Sequence, residues 1–245
     1  MKTTHRFALC ILFLWIGLCV TPAAGEEKED SGGQFETLRK LMVEHQIKAR
    51  GVTDSRVLAA LQKVERHRFV PETYRDQAYD DHPLPIGEGQ TISQPYIVGL
   101  MTSLVNPDSS KTVLEIGTGS GYQAAVLAET CKFVYTIEVI PSLGKNADRL
   151  LKDLGYMNIK VKIGDGYKGW KEFAPFDAIV VTCAPSHVPD PLKNQLNEGG
   201  KMVIPVGERF IQYLKVLTKK RGKVVEDSII PVRFVPMMNE KGKMY

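Results

Sequence analysis

Cysteine is scarce: the 245-residue chain has four, and two of these, Cys10 and Cys19, fall in an apolar N-terminal run. The other two, Cys131 and Cys183, sit in apolar segments that read as a helix end and a strand end, so no disulfide framework follows. The five histidines are scattered, and neither Cys-x-x-Cys nor His-x-x-x-His occurs. The spacings that build zinc sites are therefore missing, and no structural or catalytic metal is expected. Internal repeats and low-complexity tracts are also lacking, which excludes solenoid and fibrous architectures. Lys219-Lys220-Arg221 is the only run of three adjacent lysines and arginines, and Gly222 after it makes it a solvated hairpin turn. No nucleic-acid partner is expected.

A long membrane span is lacking too. The most apolar stretch, Phe7 to Val20, covers 14 residues, short of the ~20 needed to cross a bilayer, so no stable membrane anchor is expected. Lys2 and Arg6 precede it and the small residues Ala23-Ala24-Gly25 follow, so 1–25 reads as a secretory signal peptide. Neither Cys10 nor Cys19 follows a small residue, which argues against a lipid-modified cysteine. Cleavage after Gly25 removes two cations and no anion, taking the formal charge from +4 to +2. The acidic, glycine-containing stretch 26–33 then reads as a linker, and 34–245 as a single domain.

Within that domain, Phe35, Leu38 and Met42, then Val57, Leu58, Leu61 and Val64, recur at helical spacing, with Asp54 placed to cap the second helix. Pro71 to Gly89 is rich in proline and glycine and reads as an irregular, functional segment. From Lys111 on, short apolar runs alternate with helical stretches, which is the pattern of a parallel sheet with helices on its faces. The runs are Thr112–Ile116, Phe133–Val139, Ile159–Ile163, Phe176–Thr182 and Lys201–Pro205. Helices are predicted near Gln123–Glu129, Ser142–Leu154 and Pro191–Leu196. Tyr213–Thr218, Val224–Ile230 and Val232–Val235 follow too closely for crossover helices and should be antiparallel strands at one side of the sheet. Residues 34–110 thus hold N-terminal helices and an active-site loop, and 111–245 an α/β core.

The first strand of that core runs into Glu115-Ile116-Gly117-Thr118-Gly119-Ser120-Gly121-Tyr122, where a doubly wound sheet binds ligands. A dinucleotide fingerprint needs glycine or alanine at 122, and Tyr122 stands there. Glu115 would repel a diphosphate but suits a ligand carrying ammonium and sulfonium charges. Glu138, 17 residues after Gly121 at the end of the second strand, can accept from both hydroxyls of a ribose. Asp165, between Gly164 and Gly166 after the third strand, is placed for an adenine amino group. Three acids ending three successive strands point to a bound adenosyl group.

These residues resemble a known family. Val113-Leu114-Glu115-Ile116-Gly117-Thr118-Gly119-Ser120-Gly121 is similar to the first motif of class I methyltransferases, Gly164-Asp165-Gly166 to their adenine-side motif, and Asn197-Glu198-Gly199-Gly200 to the turn before their fifth strand. Gly89-Gln90-Thr91-Ile92-Ser93-Gln94-Pro95 resembles the signature of the protein-L-isoaspartate methyltransferases. Ala174-Pro175-Phe176-Asp177-Ala178-Ile179, Pro205-Val206-Gly207 and Val232-Arg233-Phe234-Val235-Pro236 extend the likeness over about residues 38 to 237. The resemblance implies a Rossmann-like α/β fold, with a seven-stranded, mostly parallel sheet, an antiparallel C-terminal part and helices on both faces. It also implies S-adenosyl-L-methionine as methyl donor and the free carboxyl of isoaspartyl or D-aspartyl residues in damaged proteins and peptides as acceptor. The methyl ester then decays through a succinimide, partly back to aspartate, and a monomer is expected. Cofactor contacts are implied for Gln90, Thr91 and Ile92, for Glu115, Gly117, Thr118, Gly119 and Gly121 of the turn, and for Glu138, Asp165 and Gly166. The signal-like N-terminus departs from the usual cytoplasmic members. It makes the periplasm the expected compartment and the cytoplasm, where the cofactor is made, the alternative.

A methyl on a sulfonium is already activated and a carboxylate is already ionised at neutral pH, so placement and exclusion of water matter more than a strong base. The segment Gln90–Ser93 should close over the methyl, with the Ser93 hydroxyl orienting the acceptor as the catalytic group. Ser93 before Gln94-Pro95 and the apolar series Ile97, Val98, Met101, Leu104 reads equally as helix-start chemistry; the family likeness favours catalysis. His187 reads as a loop residue, Trp170 as packing, and Cys183 as an unactivated thiol. Two other functions stay open: a methyltransferase with a different acceptor, and a non-catalytic binder of altered proteins.

Overall fold

The computed structural model describes residues 31–208 and 211–245. The signal-like segment 1–25 and most of the linker lie outside the described residues. Helix α1 (Ser31–Leu41) continues through a π-helical turn, Met42–Ile47, and a 3-10 turn, Lys48–Arg50. It begins inside the stretch read from sequence as linker. Helix α2 (Ser55–Lys63) starts as its sequence requires: the Asp54 side chain accepts from Arg56 N at its first turn.

Seven strands build the central sheet: β3 (Thr112–Ile116), β4 (Phe133–Glu138), β5 (Ile159–Ile163), β6 (Phe176–Val181), β7 (Leu196–Glu208), β8 (Ile211–Lys220) and β9 (Lys223–Val232), in the order β5-β4-β3-β6-β7-β8-β9. The pairs from β5 across to β7 are parallel, and β7–β8 and β8–β9 are antiparallel. The chain leaves β3 toward β4 and later returns to β6 on its other side, so β3 is the switch point beyond which a crevice must open. Side chains alternate along the strands into two cores. Val113, Ala178, Val180 and Val203 pack beneath α2, α3 (Pro95–Leu104) and α4 (Tyr122–Ala128). Leu114, Ile116, Ile179, Val181 and Ile204 pack on the opposite face, with Leu192 of the short α6 (Asp190–Asn194) and Trp170. Helix α5 (Pro141–Asp153) contributes Leu151 to the first core and follows β4 directly.

Three sequence-based readings are corrected. The irregular stretch from Pro71 holds a 3-10 helix, Glu72–Gln77, and then an antiparallel hairpin of β1 (Leu84–Gly87) and β2 (Gln90–Ile92). Its turn is made by Glu88 and Gly89 at φ 53° and 68°, the two successive left-handed residues that a tight hairpin needs. Strands this short carry too few alternations to be read from periodicity. Second, Val224–Ile230 and Val232–Val235 are not two strands. One edge strand ends at Val232, and Phe234 leaves the ladder because the Gln212 side chain takes both its backbone groups, accepting from N at 2.7 Å and donating to O at 3.2 Å. Pro231, which lacks an N–H, is tolerated because β9 is an edge. Third, α6 stops at Asn194 and Leu196 already belongs to β7, which is longer than its apolar run because Asn197–Gly200 forms an irregularity inside the strand rather than a turn before it.

Candidate active site

At the end of β3 the chain turns sharply. Gly117 N and Thr118 N both donate to Ile137 O of β4, at 2.8 and 3.3 Å. On the other side, Thr182 after β6 donates its hydroxyl to Ile116 O and Gly117 O at 3.0 and 2.7 Å. Gly117 sits at φ 96°, and a Cβ there would stand 2.4 Å from Thr182 Oγ1. No side chain fits, so the backbone itself forms the wall.

Glu138, at the end of β4, lies across from this turn. Gly119 N donates to its Oε2 at 2.8 Å and Ile140 N to its Oε1 at 3.0 Å. Desolvation raises its pKa, and those backbone donors oppose the rise. Each oxygen accepts one backbone bond and keeps a further lone pair, which is what a pair of vicinal hydroxyls requires. The cavity is lined by Gln90, Thr91, Gly117, Gly119, Glu138 and Gly166, closed by Thr182, Cys183 and Val235–Met238. The hairpin arches over it: Ser142 of α5 donates to Glu88 Oε1 at the hairpin tip, at 2.7 Å. Ile92 and Thr118 line a small adjoining pocket together with Ser93.

A second, open cleft of about 700 Å³ lies beside the first. Ser93, Tyr96, Arg50 and Arg233 line it, with Thr91 and Thr182. These two threonines border all three spaces, so they mark where the cavity and the cleft meet. Arg50 lies over the Tyr96 ring, 3.5 Å from its centroid, and pairs with Asp81 at 2.8 Å. The N-cap of α3 is Gln94, with no side-chain cap bond and Pro95 in the first turn; the Ser93 hydroxyl is not used to cap the helix.

Three residues expected at the cofactor line neither the cavity nor the adjoining pocket. Gly121 packs against α5, where a Cβ would meet Leu151 Cδ1 at 3.2 Å. Asp165 is engaged by the protein itself. Its Oδ1 accepts from Tyr167 N at 3.1 Å, and its Oδ2 accepts from the Tyr245 hydroxyl at 2.6 Å and pairs with Lys168 at 3.3 Å. Tyr245 is stacked on Tyr167 with ring centroids 4.1 Å apart, so the C-terminal residue covers the carboxylate that the sequence assigns to adenine. Glu115 is fully buried beneath the turn. Thr136 Oγ1 donates to its Oε2 at 2.5 Å, while Oε1 has no partner among the described residues. Desolvation, opposed by Thr136 and reinforced by the charge of Glu138, pushes its pKa up to about 8.

Thr182, Arg50, Arg233 and the tail Val235–Met238 with Tyr245 went unassigned in the sequence. Thr182 carried only a strand-end signal, and the tail has no periodicity. Trp170 packs edge-on against Tyr135 and Phe173 rather than facing the cavity. His187 is a loop residue within 3.1 Å of the Tyr167 hydroxyl. Cys183 does line the cavity, but desolvation holds its thiol far above the usual range. Cys131 and Cys183 are both free, and no cluster of potential metal ligands occurs among the described residues.

The strand order, the switch point and the glycine turn after β3 define a Rossmann-like methyltransferase of class I. The family model for protein-L-isoaspartate(D-aspartate) O-methyltransferase matches residues 37–242, and the chain belongs to that family. It is 55% identical over 204 residues to the protein-L-isoaspartate O-methyltransferase of Opitutus terrae, covering 83% of this chain and 88% of that protein. It is 58% identical over 200 residues to that of Picosynechococcus sp., covering 82% and 90%. Among solved structures, a protein-L-isoaspartate O-methyltransferase superposes with a TM-score of 0.76 at 30% identity, over 84% of this chain and 67% of that one. The Plasmodium falciparum PCMT in complex with S-adenosyl-L-homocysteine gives 0.70 at 28%, over 81% and 97%.

The buried Glu115 has a measurable consequence. An ordinary glutamate ionises near 4.5, so between there and about 8 the folded protein keeps a proton that the unfolded chain has released. Stability from this group is therefore fully present below 4.5 and is lost as pH rises through about 8. Glu115→Gln, which keeps an oxygen for Thr136 and carries no charge, should gain on the parent by about 3–5 kcal/mol between pH 5 and pH 8.5 in ligand-free denaturant unfolding. A stability difference that does not change with pH contradicts this reading.

Proposed function

We propose that the protein transfers the methyl group of S-adenosyl-L-methionine to the free carboxylate of L-isoaspartyl and D-aspartyl residues in damaged proteins, with the cofactor over the glycine turn and the acceptor in the adjoining cleft. The observation that carries this reading is the wall that Thr91 and Thr182 share between the two spaces. The donor set fits the cofactor: a backbone wall without side chains at Gly117 and Gly119, and a carboxylate at Glu138 with lone pairs left for two hydroxyls. When bound, the cofactor supplies a methyl already activated on a sulfonium.

The residues of the chain then have a placing role. Well-oriented reactants lower a barrier by roughly 7–11 kcal/mol, and an acceptor carboxylate with a pKa near 4 needs no base. Gln90, Thr91 and Ile92 of the hairpin exclude water from above, while Gly117, Thr118 and Gly119 hold the cofactor from below. The Ser93 hydroxyl, free of any capping duty, donates to the acceptor carboxylate and turns it toward the methyl. Arg50 and Arg233 place positive charge where an anionic acceptor enters. Glu115 and Gly121 act through the turn they support, and Gly166 borders the adenine end, with the Asp165 carboxylate beside it engaged by Tyr167 and Tyr245.

Labelled-methyl transfer to an isoaspartyl peptide, but not to its aspartyl twin, is the expected result; equal labelling of both, or of neither, contradicts the acceptor. In the same assay Ser93→Ala should lose about 10- to 1000-fold in turnover while keeping cofactor affinity and melting temperature. Wild-type turnover in that variant ends the catalytic assignment of Ser93.

We further propose that the protein is exported to the periplasm. The support is the charge, apolar run and small residues of 1–25; no helix among the described residues is long and apolar enough to cross a membrane. N-terminal sequencing of the native protein should find a start near Glu26, and an intact Met1 refutes export.

A further inference from the structure

Arg66 is the largest fully buried side chain among the described residues, with none of its surface exposed. No carboxylate acts on it: the ionisable groups beside it are the neutral phenols of Tyr122 and Tyr79. A buried cation without an anion is costly and persists only where its hydrogen bonds are well used. Desolvation pulls its pKa down to about 10.

The guanidinium spends its donors on backbone. Arg66 Nε donates to Ala78 O at 2.7 Å, and Nη2 donates to Ser93 O at 2.7 Å. Cζ stands 4.8 Å from the centroid of the Tyr122 ring. Arg66 Nη1 and the Tyr122 hydroxyl have no hydrogen-bond partner among the described residues. One planar fork thereby joins three parts of the chain: the segment after the 3-10 helix Glu72–Gln77, the junction of β2 and α3, and the first residue of α4. The second carries Ser93, and the third follows the glycine turn directly. Fixing the Ser93 carbonyl fixes the peptide plane from which its Cα–Cβ bond projects, and the rigid geometry of a guanidinium sets two such planes at once.

We propose that Arg66 is a positioning residue for methyl transfer, holding the Ser93 backbone in register with the glycine turn so that the Ser93 hydroxyl faces the acceptor cleft. The proposal rests on the role assigned to Ser93 above. It makes Arg66 act through Ser93 and not on the substrate, because its side chain is sealed from both the cavity and the cleft.

A double-mutant cycle tests it on the full-length protein, with Arg66→Met, Ser93→Ala and their combination, reading kcat on an isoaspartyl peptide, S-adenosylmethionine affinity and melting temperature. An apolar residue of similar length relieves the buried charge, so Arg66→Met should remain folded. Its kcat should fall about 10- to 100-fold with cofactor Kd within about threefold, and the double variant should lose no more than Ser93→Ala alone. Arg66→Lys keeps the cation but not the two-pronged fork, so it should fold and recover only part of the loss. Full kcat per folded molecule in Arg66→Met or Arg66→Lys, or losses that multiply in the double variant, overturns the proposal. Full kcat in Ser93→Ala alone overturns the reading of Ser93 itself, which the single variant separates from a failure of Arg66.

Discussion

The backbone turn at Gly117 is the constraint on which the site depends. It is pinned from β4 by Ile137 O and from β6 by the Thr182 hydroxyl, and at 2.4 Å from Thr182 Oγ1 there is no room for a Cβ. This clamp brings the ends of β3, β4 and β6 to one place. It exposes peptide groups where a side chain would otherwise stand, and it sets Thr182 on the boundary between two spaces. A reaction between a cationic donor and an anionic acceptor needs little more than this. Two spaces meet at one point, one bordered by the Glu138 carboxylate and the other by Arg50 and Arg233.

The residues around the turn carry ionisable groups into the interior with little direct pairing. Glu115 lies beneath the turn with one oxygen unpartnered, and Arg66 lies behind Ser93 with no carboxylate. Both weaken the fold by desolvation, and both border segments that must hold their shape. Buried polar groups at such positions restrict the backbone to one arrangement more tightly than apolar packing does, at some cost in stability. On the open side the hairpin and the C-terminal tail close the cavity from opposite directions. The hairpin is tied to α5 through Glu88 and Ser142, and the tail to Asp165 through Tyr245.

Much of this was legible in the sequence, for physical reasons. Thr112–Ile116 and Ile159–Ile163 match their strands residue for residue, because strands of a parallel sheet read as short runs rich in β-branched residues between turns. The Asp54 cap and Pro95 in the first turn of α3 follow from local chemistry alone. What escaped depends on pairing across the fold. The β1–β2 hairpin is too short to show a period, and the end of β9 is decided by a glutamine side chain on the neighbouring strand. The contact of Tyr245 with Asp165 joins residues 80 apart, and that of Arg66 with Ser93 joins residues 27 apart. Local spacing put Glu115 and Asp165 at strand ends, but it did not reveal which way each carboxylate would be covered.

The most direct test of the two-pocket account is a crystal structure with S-adenosylhomocysteine and an isoaspartyl peptide bound together. The account predicts both ribose hydroxyls about 2.5–3.0 Å from Glu138, the sulfur at the boundary formed by Thr91 and Thr182, and the peptide carboxylate beside the Ser93 hydroxyl. A ribose held by other groups, or a peptide seated away from the Ser93 cleft, would contradict it.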